Sequence, residues 1–461
     1  MSFGRVLRLV PFVAAVPAAL AGGYVGVLTA ASKRHRPSTA TDRSVRFAFV
    51  VPAHNEAFGI SETIASLRAV EYPRQSFRVV VIADNCTDDT AAVARAAGAQ
   101  VIERTDDDRR SKGFALGDVL PVVMADSWVD AVVVVDADSI VSPNVLILCA
   151  GRIAAGEDAL QVRYGIRNPD DSWRTQLLTV AFACFHDVRS AGRETLGLSC
   201  GLRGNGMVFT RRALEVAPHK ASSLVEDLEY GMDLADVGVR VGYVAHASVL
   251  AEMPNNDEGS RTQRDRWELG RAEFRRRAVA TLREGLRSRD RMQVDLAMDV
   301  LVPPLGTVAA LTVGSGAIAL GVSVLRRRID PSVAPAAIAA VGLGSHVVAG
   351  WRASGTGWKG LSALARVPGY VAWKVRGRSS SGSSSVPVAG TGQPWIRTAR
   401  NRQADTPSYS VSGSPMKPSA VADAHLGSVS GSPMKASAVA DTHSGSVSGS
   451  PMKSSNEECV S

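Results

Sequence analysis

The sequence predicts an α/β protein with a mostly parallel central sheet, to which transmembrane helices and a disordered C-terminal tail are attached. Between residues 45 and 139, apolar β-type runs alternate with helix-like stretches, as in a parallel sheet with right-handed crossovers. Three apolar segments are long enough to cross a bilayer, and Ser, Gly and Pro dominate after residue 379. At 461 residues, 45% of them hydrophobic, the chain can form one large domain or two smaller ones.

The first apolar segment carries no charge from Val10 to Ser32 and ends at the basic run 33–36. A span needs about 20 apolar residues, so this segment is long enough to cross. A cleaved signal peptide is the alternative, because Arg5 and Arg8 precede the apolar run. We expect a retained membrane anchor over residues 1–36, since the apolar run exceeds a usual signal core. The positive-inside rule then places the following domain in the cytoplasm.

Two further apolar stretches, 301–325 and about 333–351, predict a transmembrane hairpin within residues 297–352. Pro303 and Pro304 interrupt the first stretch, which membrane helices tolerate. The chain is therefore expected to be a multi-pass protein of the cell (inner) membrane. Three arginines at 326–328 would lie in the outer turn, against the charge rule; a shallow re-entrant hairpin removes this conflict and stays open as an alternative.

The formal charge of +8 is less informative than its location. Residues 261–291 contain eleven arginines and five acidic residues, which predicts an interfacial helix within 261–296 lying on membrane lipid headgroups. A solvated charged helix is the alternative. We expect no nucleic-acid partner, because no regular interleaving of aromatic side chains accompanies these charges.

The C-terminal part is read from its composition. Residues 353–378 form a predicted amphipathic juxtamembrane segment, and residues 379–461 form the tail. The heptapeptide VSGSPMK begins at 411, 429 and 447, a period of 18 that is too polar to bury a face. Its Ser-Pro steps are candidates for phosphorylation or partner binding, or the repeat has no role. Five cysteines without a C-x-x-C pair indicate a reducing compartment.

The core strands predicted from apolar runs are FAFVVPA (47–53), FRVVVIAD (77–84) and AVVVVDADS (131–139), with helices predicted at 60–70 and 90–97. No G-x-G-x-x-G follows the first strand, which argues against a dinucleotide-binding enzyme. The third strand runs into Asp136 and Asp138. If strand geometry persists, both carboxylates project from one face at the carboxyl edge of the sheet, where they suit a divalent cation holding a diphosphate. A simple strand cap is the alternative.

Further polar segments follow in order along the chain. They are VPAHNE (51–56), ADNCTDDT (83–90), Lys112-Gly113, GLRGNGMVF (201–209), VEDLEYG (225–231) and QRDRWELG (263–270). Each alone has an ordinary explanation, such as an Asx-turn, a solvated lysine, a tight turn or one face of a helix. Together they resemble the family-two glycosyltransferases, especially the membrane-bound branch that contains cellulose, hyaluronan and poly-N-acetylglucosamine synthases.

This resemblance implies a GT-A fold over residues 45–260, with a nucleotide-sugar donor of the UDP-sugar class, a divalent Mg²⁺ or Mn²⁺, and inversion at the anomeric carbon. On the donor side, it assigns Asp84 to the base and ribose, and Lys112 to the nucleotide or sugar. Asp136 and Asp138 match the D-x-D pair, with Asp138 the more direct metal ligand. The loop around the nucleoside matches at Pro52, Ala53 and Glu56.

On the acceptor side, Glu226-Asp227 resembles the T-E-D motif, whose aspartate takes the acceptor proton. The chemistry agrees, because a hydroxyl becomes acidic only as its new bond forms, so an aspartate suffices as base. The acceptor and diphosphate end is assigned to the Q-x-x-R-W residues and to the glycine-rich turn: Gln263, Arg266, Trp267, Gly204, Asn205 and Gly206. Ala83 and Val225 depart from the family pattern without removing an assigned carboxylate.

The leading hypothesis is thus a membrane-anchored inverting glycosyltransferase that acts on a saccharide or glycolipid acceptor. Partners in a synthase complex are also expected from the resemblance, although about three spans make a dedicated polymer channel doubtful. Two alternatives remain open: a polyprenyl-phosphate sugar transferase, and a catalytically silent scaffold that binds sugar nucleotides.

Overall fold

The structure, a computed structural model, describes residues 3–254, 270 and 273–367. The predicted tail, with its 18-residue repeats, and the residues Gln263, Arg266 and Trp267 lie outside this part of the chain. The central element is a sheet of eight strands in the order β3-β2-β1-β4-β7-β6-β8-β5. Its strands are β1 Phe47–Ala53, β2 Phe77–Asp84, β3 Gln100–Arg104, β4 Ala131–Val134, β5 Ser139–Val141, β6 Ala159–Ile166, β7 Met207–Thr210 and β8 Val241–Ala251.

The first half of the sheet is parallel, as the alternation of strands and helices predicts: β1 pairs with β2 and β4, and β2 pairs with β3. The second half is mixed, because β7 runs antiparallel to both β4 and β6, while β6 and β8 are parallel. Strand β5 adds an antiparallel edge to β8. The predicted α/β fold with a largely parallel sheet is confirmed.

Helices cover both faces of the sheet, which explains why β1 reads as a continuous apolar run. Phe47 and Phe49 pack on one face against α2 (Ile60–Arg68) and α5 (Val145–Ala154). Ala48 and Val50 pack on the other face against α4 (Lys112–Ala125). The helices are α1 Phe3–Ser32, α2 Ile60–Arg68, α3 Thr90–Ala96, α4 Lys112–Ala125, α5 Val145–Ala154, α6 Trp173–Phe182, α7 Arg189–Thr195, α8 Arg211–Val216, α9 Glu226–Asp236, α10 Arg275–Ser288, α11 Arg291–Leu301, α12 Leu305–Arg326, α13 Val333–Ser354 and α14 Gly357–Ala365. A π-helical segment, Ala183–Val188, joins α6 to α7.

One local expectation was wrong. Strand β4 ends at Val134, and Ala137 and Asp138 lie in a turn. Asp136 and Asp138 therefore do not continue the strand, and strand alternation does not place their side chains on one face. In the described part of the arginine-rich stretch, residues 273–291, the helix is not continuous. It breaks between α10 and α11, where Arg289 is left-handed at φ 60° and the Asp290 carboxylate caps α11 by accepting from the N–H of Met292 at 2.9 Å.

Three helices in the described part of the chain are long and apolar enough to cross a membrane: the 11–32 portion of α1, α12 and α13. Small residues bring α1 and α13 into close contact. A side chain on Gly22 would meet the Ala339 backbone at 2.7 Å, and one on Gly26 would meet Gly342 at 3.0 Å. The N-terminal helix α1 therefore packs directly against α13.

Candidate functional site

The ammonium group of Lys112 joins three segments that the sequence singles out. Its Nζ donates to Asp136 Oδ1 at 2.6 Å and to the carbonyl oxygen of Gly204, and it lies 3.6 Å from Glu226 Oε1. Lys112 opens α4, because the Ser111 hydroxyl caps that helix. Burial alone would lower the pKa of Lys112, but the facing carboxylates of Asp136 and Glu226 outweigh it and raise the pKa. Lys112 is thus a fixed cation at the carboxyl edge of β4.

The loop that carries the aspartate pair is held by Asn205, which is fully buried. Its Oδ1 accepts from the N–H of Asp136 at 3.2 Å, and its Nδ2 donates to Ser139 Oγ at 2.8 Å. Ser139 Oγ in turn donates to Asp138 Oδ1 at 3.1 Å. The assignment of Asn205 to the acceptor or diphosphate stays a prediction; its contacts here are those of a residue that positions Asp136 and Asp138.

The turn around Asn205 depends on its two glycines. Gly204 and Gly206 have φ of +78° and +71°, the left-handed region that favours glycine. A side chain at Gly206 would also lie 2.8 Å from Val249. Gln161, a residue that sequence reasoning missed, secures the turn: its Oε1 accepts from the N–H of Arg203 at 2.8 Å and its Nε2 donates to the carbonyl of Asn205 at 2.7 Å. The available signal was a lone amide within the otherwise apolar start of β6.

Glu226 and Asp227 begin α9 and point their charges at the same site. Burial raises the pKa of Glu226 to about 7; Lys112 opposes this, and Asp227 adds to it. Burial also raises the pKa of Asp227. The N–H of Leu228 opposes this rise most, followed by the charges of Lys112 and Arg203. The two carboxyl groups therefore hold protons to a higher pH than exposed acids do. Gly204 lies beside Asp227, since a side chain there would come within 3.5 Å of Asp227 Oδ2.

The ends of β1 and β2 form the adjoining part of this edge. His54 Nδ1 lies 2.8 Å from the Asp84 carbonyl oxygen, and the N–H of Glu56 donates to Thr90 Oγ1 at 2.8 Å. Asp84 is fully buried and pairs with Arg104 at 2.6 Å. Burial raises the pKa of Asp84 although Arg104 opposes it, and its Oδ2 accepts no hydrogen bond from the residues that the structure describes. Pro52 and Ala53 are buried at the end of β1.

Only the last residue of QRDRWELG is described. Gly270 packs against Val225, where an added side chain would approach to 2.5 Å. The end of that segment therefore lies beside the residue that precedes Glu226. Where Gln263, Arg266 and Trp267 point lies outside the described residues.

The donor set suits a hard divalent cation, even though no cluster of three or more His, Cys, Asp or Glu side chains arranged to hold a metal occurs in the described part of the chain. Mg²⁺ is commonly held by one or two carboxylates together with substrate phosphates. Asp136 and Asp138 supply two such carboxylates on a loop fixed by Asn205.

A family model described as "Glycosyltransferase like family 2" matches residues 45–270. Residues 45–270 belong to glycosyltransferase family 2. This family-two domain covers β1 to β8 and ends just before α10. The resemblance to the membrane-bound synthase branch stays a prediction.

Several known proteins are similar to the chain. A beta-monoglucosyldiacylglycerol synthase of Synechocystis sp. is 29% identical over 234 residues, which cover 48% of this chain and 47% of that one. The probable glycosyltransferase YdaM of Bacillus subtilis is 22% identical over 230 residues, 48% of this chain and 54% of its own. The chain thus matches about half the length of these relatives.

Among solved structures, a mannosyltransferase from Pyrobaculum calidifontis in complex with GDP-Man and Mn²⁺ is 17% identical, covers 73% of this chain and 97% of its own, and has a TM-score of 0.41. A glucosyl-3-phosphoglycerate synthase from Mycobacterium tuberculosis, in complex with Mn²⁺, UDP and phosphoglyceric acid, is 21% identical, covers 54% and 81%, and has a TM-score of 0.34.

Proposed function

We propose that this protein is a membrane-anchored inverting glycosyltransferase that moves a sugar from a nucleotide sugar, of the UDP-sugar class, to a saccharide or glycolipid acceptor. One observation carries the proposal: Lys112 contacts Asp136, Gly204 and Glu226, which come from three separate motifs of the family-two domain. Folding therefore assembles a donor-side aspartate, a cation and an acceptor-side acid at one edge of the sheet.

The roles follow from charge and position. Asp227 takes the proton of the acceptor hydroxyl as that oxygen bonds to the anomeric carbon. The leaving diphosphate develops negative charge near Lys112, whose raised pKa keeps it protonated. A divalent cation held by Asp136 and Asp138 would neutralise the same diphosphate. Asp84, buried beside Arg104 and with one oxygen that accepts no hydrogen bond from the described residues, is assigned to the nucleoside.

A lipid-linked or glycolipid acceptor is favoured by the helices that pack on the family-two domain. Tyr24 of α1 accepts from the guanidinium of Arg193 in α7 at 2.6 Å, so a helix long enough to cross a membrane is tied directly to the domain. This contact also favours a retained anchor over a cleaved signal peptide. Two relatives with 28–29% identity are named as synthases of a glycosylated diacylglycerol, a product of this chemical class.

The test uses full-length protein in membranes and a panel of labelled nucleotide sugars, with and without a chelator. We expect one donor to label an organic-extractable or saccharide product, and the chelator to stop this transfer until Mg²⁺ or Mn²⁺ is restored. Transfer that persists in chelator would refute the role of Asp136 and Asp138. Binding of a nucleotide sugar without any transfer would instead support the silent scaffold.

A further inference from the structure

A cluster of buried charges lies next to the candidate site and is not explained by sugar-nucleotide chemistry. Asp299 of α11 accepts from three guanidinium groups, at 2.9 Å from Arg193, 3.2 Å from Arg189 and 3.4 Å from Arg203. One helical turn earlier, Asp295 pairs with Arg193 at 2.7 Å. All five side chains are less than 10% exposed.

Such a cluster is a poor way to add stability. Removing charges from water is costly, and well-packed apolar side chains in the same space are often equally or more stabilising. The ion pairs instead fix the orientation of each guanidinium group, because a carboxylate holds it at a defined angle. The contacts that each arginine of the cluster makes outside it therefore indicate which part of the molecule the cluster positions.

Arg203 connects the cluster to the site. Its guanidinium stacks on Phe185 at 4.2 Å and donates to the Cys200 carbonyl at 2.8 Å, while its backbone N–H is held by Gln161. The next residue, Gly204, supplies the carbonyl that Lys112 contacts and lies against the Asp227 carboxylate. A shift of Arg203 would thus move the partners of Lys112 and Asp227 together.

We propose that Arg203, held by Asp299, is a positioning residue that sets the Gly204 carbonyl against Lys112 and the acceptor base Asp227. This inference rests on the proposed function and assigns that site a support from the membrane-proximal helix α11. Arg203 is not placed at the reacting atoms; it fixes the turn whose Gly204 carbonyl contacts Lys112. We expect the effect mainly in the chemical step, since the donor-side residue Asp84 is held outside this turn by Arg104.

Two isosteric variants on one helix provide the test. Asp299→Asn and Asp295→Asn each remove one buried carboxylate charge from the cluster, but only Asp299 contacts Arg203. We expect Asp299→Asn to lose more thermal stability in detergent than Asp295→Asn, because Asp299 contacts three guanidinium groups and Asp295 contacts one, so kcat is compared below the lower melting midpoint. Asp299→Asn should lower kcat by about tenfold or more with little change in KM for the nucleotide sugar, because a small misplacement of a base costs rate. Asp295→Asn should keep kcat within about threefold of wild type.

Arg203→Lys and Arg203→Gln complete the set and do not depend on the folding of the aspartate variants. The lysine, which keeps the charge, should recover part of the kcat that glutamine loses. Equal kcat losses in the two aspartate variants, or full kcat in Arg203→Gln, would overturn the positioning role. Wild-type protein that binds donor but transfers no sugar would instead refute the proposed function, so the two failures are distinguishable.

Discussion

At the scale of single residues, the paired acids at the start of α9 predict how the proposed activity depends on pH. Burial raises the pKa of Glu226 to about 7 and raises that of Asp227 as well. A base must be deprotonated to accept the acceptor proton, so transfer should fall at acidic pH and should increase with pH at values above those at which an ordinary aspartate ionises.

Glu226→Gln tests this directly. Asp227 raises the pKa of Glu226, and two adjacent carboxylates repel each other when both are charged, so removing the Glu226 charge should move the rise of kcat to lower pH. The measurement is kcat against pH for wild type and variant, with Asp236→Asn at the far end of α9 as the control. A rise at the same pH in all three proteins would mean that another group limits the reaction.

The sequence singles out the motif residues by type and spacing, and the structure brings three of them, Lys112, Asp136 and Glu226, into contact; their chemical roles stay predictions. The positioning residues were not predictable. Gln161 binds the backbone of a turn about 40 residues further along the chain. Arg203 pairs with Asp299 of α11. The sequence shows that an amide or a guanidinium group is present, but it does not show which distant carbonyl or carboxylate that group contacts.

At the scale of elements, close packing of small residues fixes α1 against α13. A side chain at Gly342 would lie 2.0 Å from the Gly22 carbonyl oxygen, whereas one at Gly344 meets nothing within 4 Å among the described residues. Gly342→Val should therefore destabilise the protein by about 1–3 kcal/mol, the usual cost of overpacking.

Gly344→Val is the matched control, since it makes the same change two residues later on the same helix. Thermal denaturation in detergent compares the two variants. The midpoint should fall for Gly342→Val and stay near wild type for Gly344→Val. Equal midpoints would show that α1 and α13 are not packed through these glycines.

Elements with long apolar runs were predicted closely: β1 and β2 begin and end at the predicted residues. Short strands were not, since β5 and β7 have three and four residues, too few for a periodic pattern. Strand β4 does not extend to Asp136 and Asp138; there the Asn205 side chain accepts from the N–H of Asp136 and donates to the Ser139 hydroxyl.

At the scale of the whole molecule, the fold brings residues far apart in sequence to one edge. The parallel half of the sheet supplies Asp84 and Asp136, and α9 supplies Glu226 and Asp227 from beyond β7. Helices α1 and α13, more than 300 residues apart, then pack together beside α7. The class of fold and the three membrane-length helices follow from composition and periodicity, whereas this assembly depends on tertiary contacts.

The central claim is that Asp227 is the base of a sugar transfer. Asp227→Asn removes the base while keeping size, and Asp233→Asn, on the same helix and paired with Arg277 at 2.6 Å, is the control. The decisive measurement compares transfer rate and nucleotide-sugar binding for wild type and both variants in membranes. Asp227→Asn should lose about 10²–10⁴-fold in transfer and retain donor binding, while Asp233→Asn keeps both. Undiminished transfer by Asp227→Asn would contradict the account.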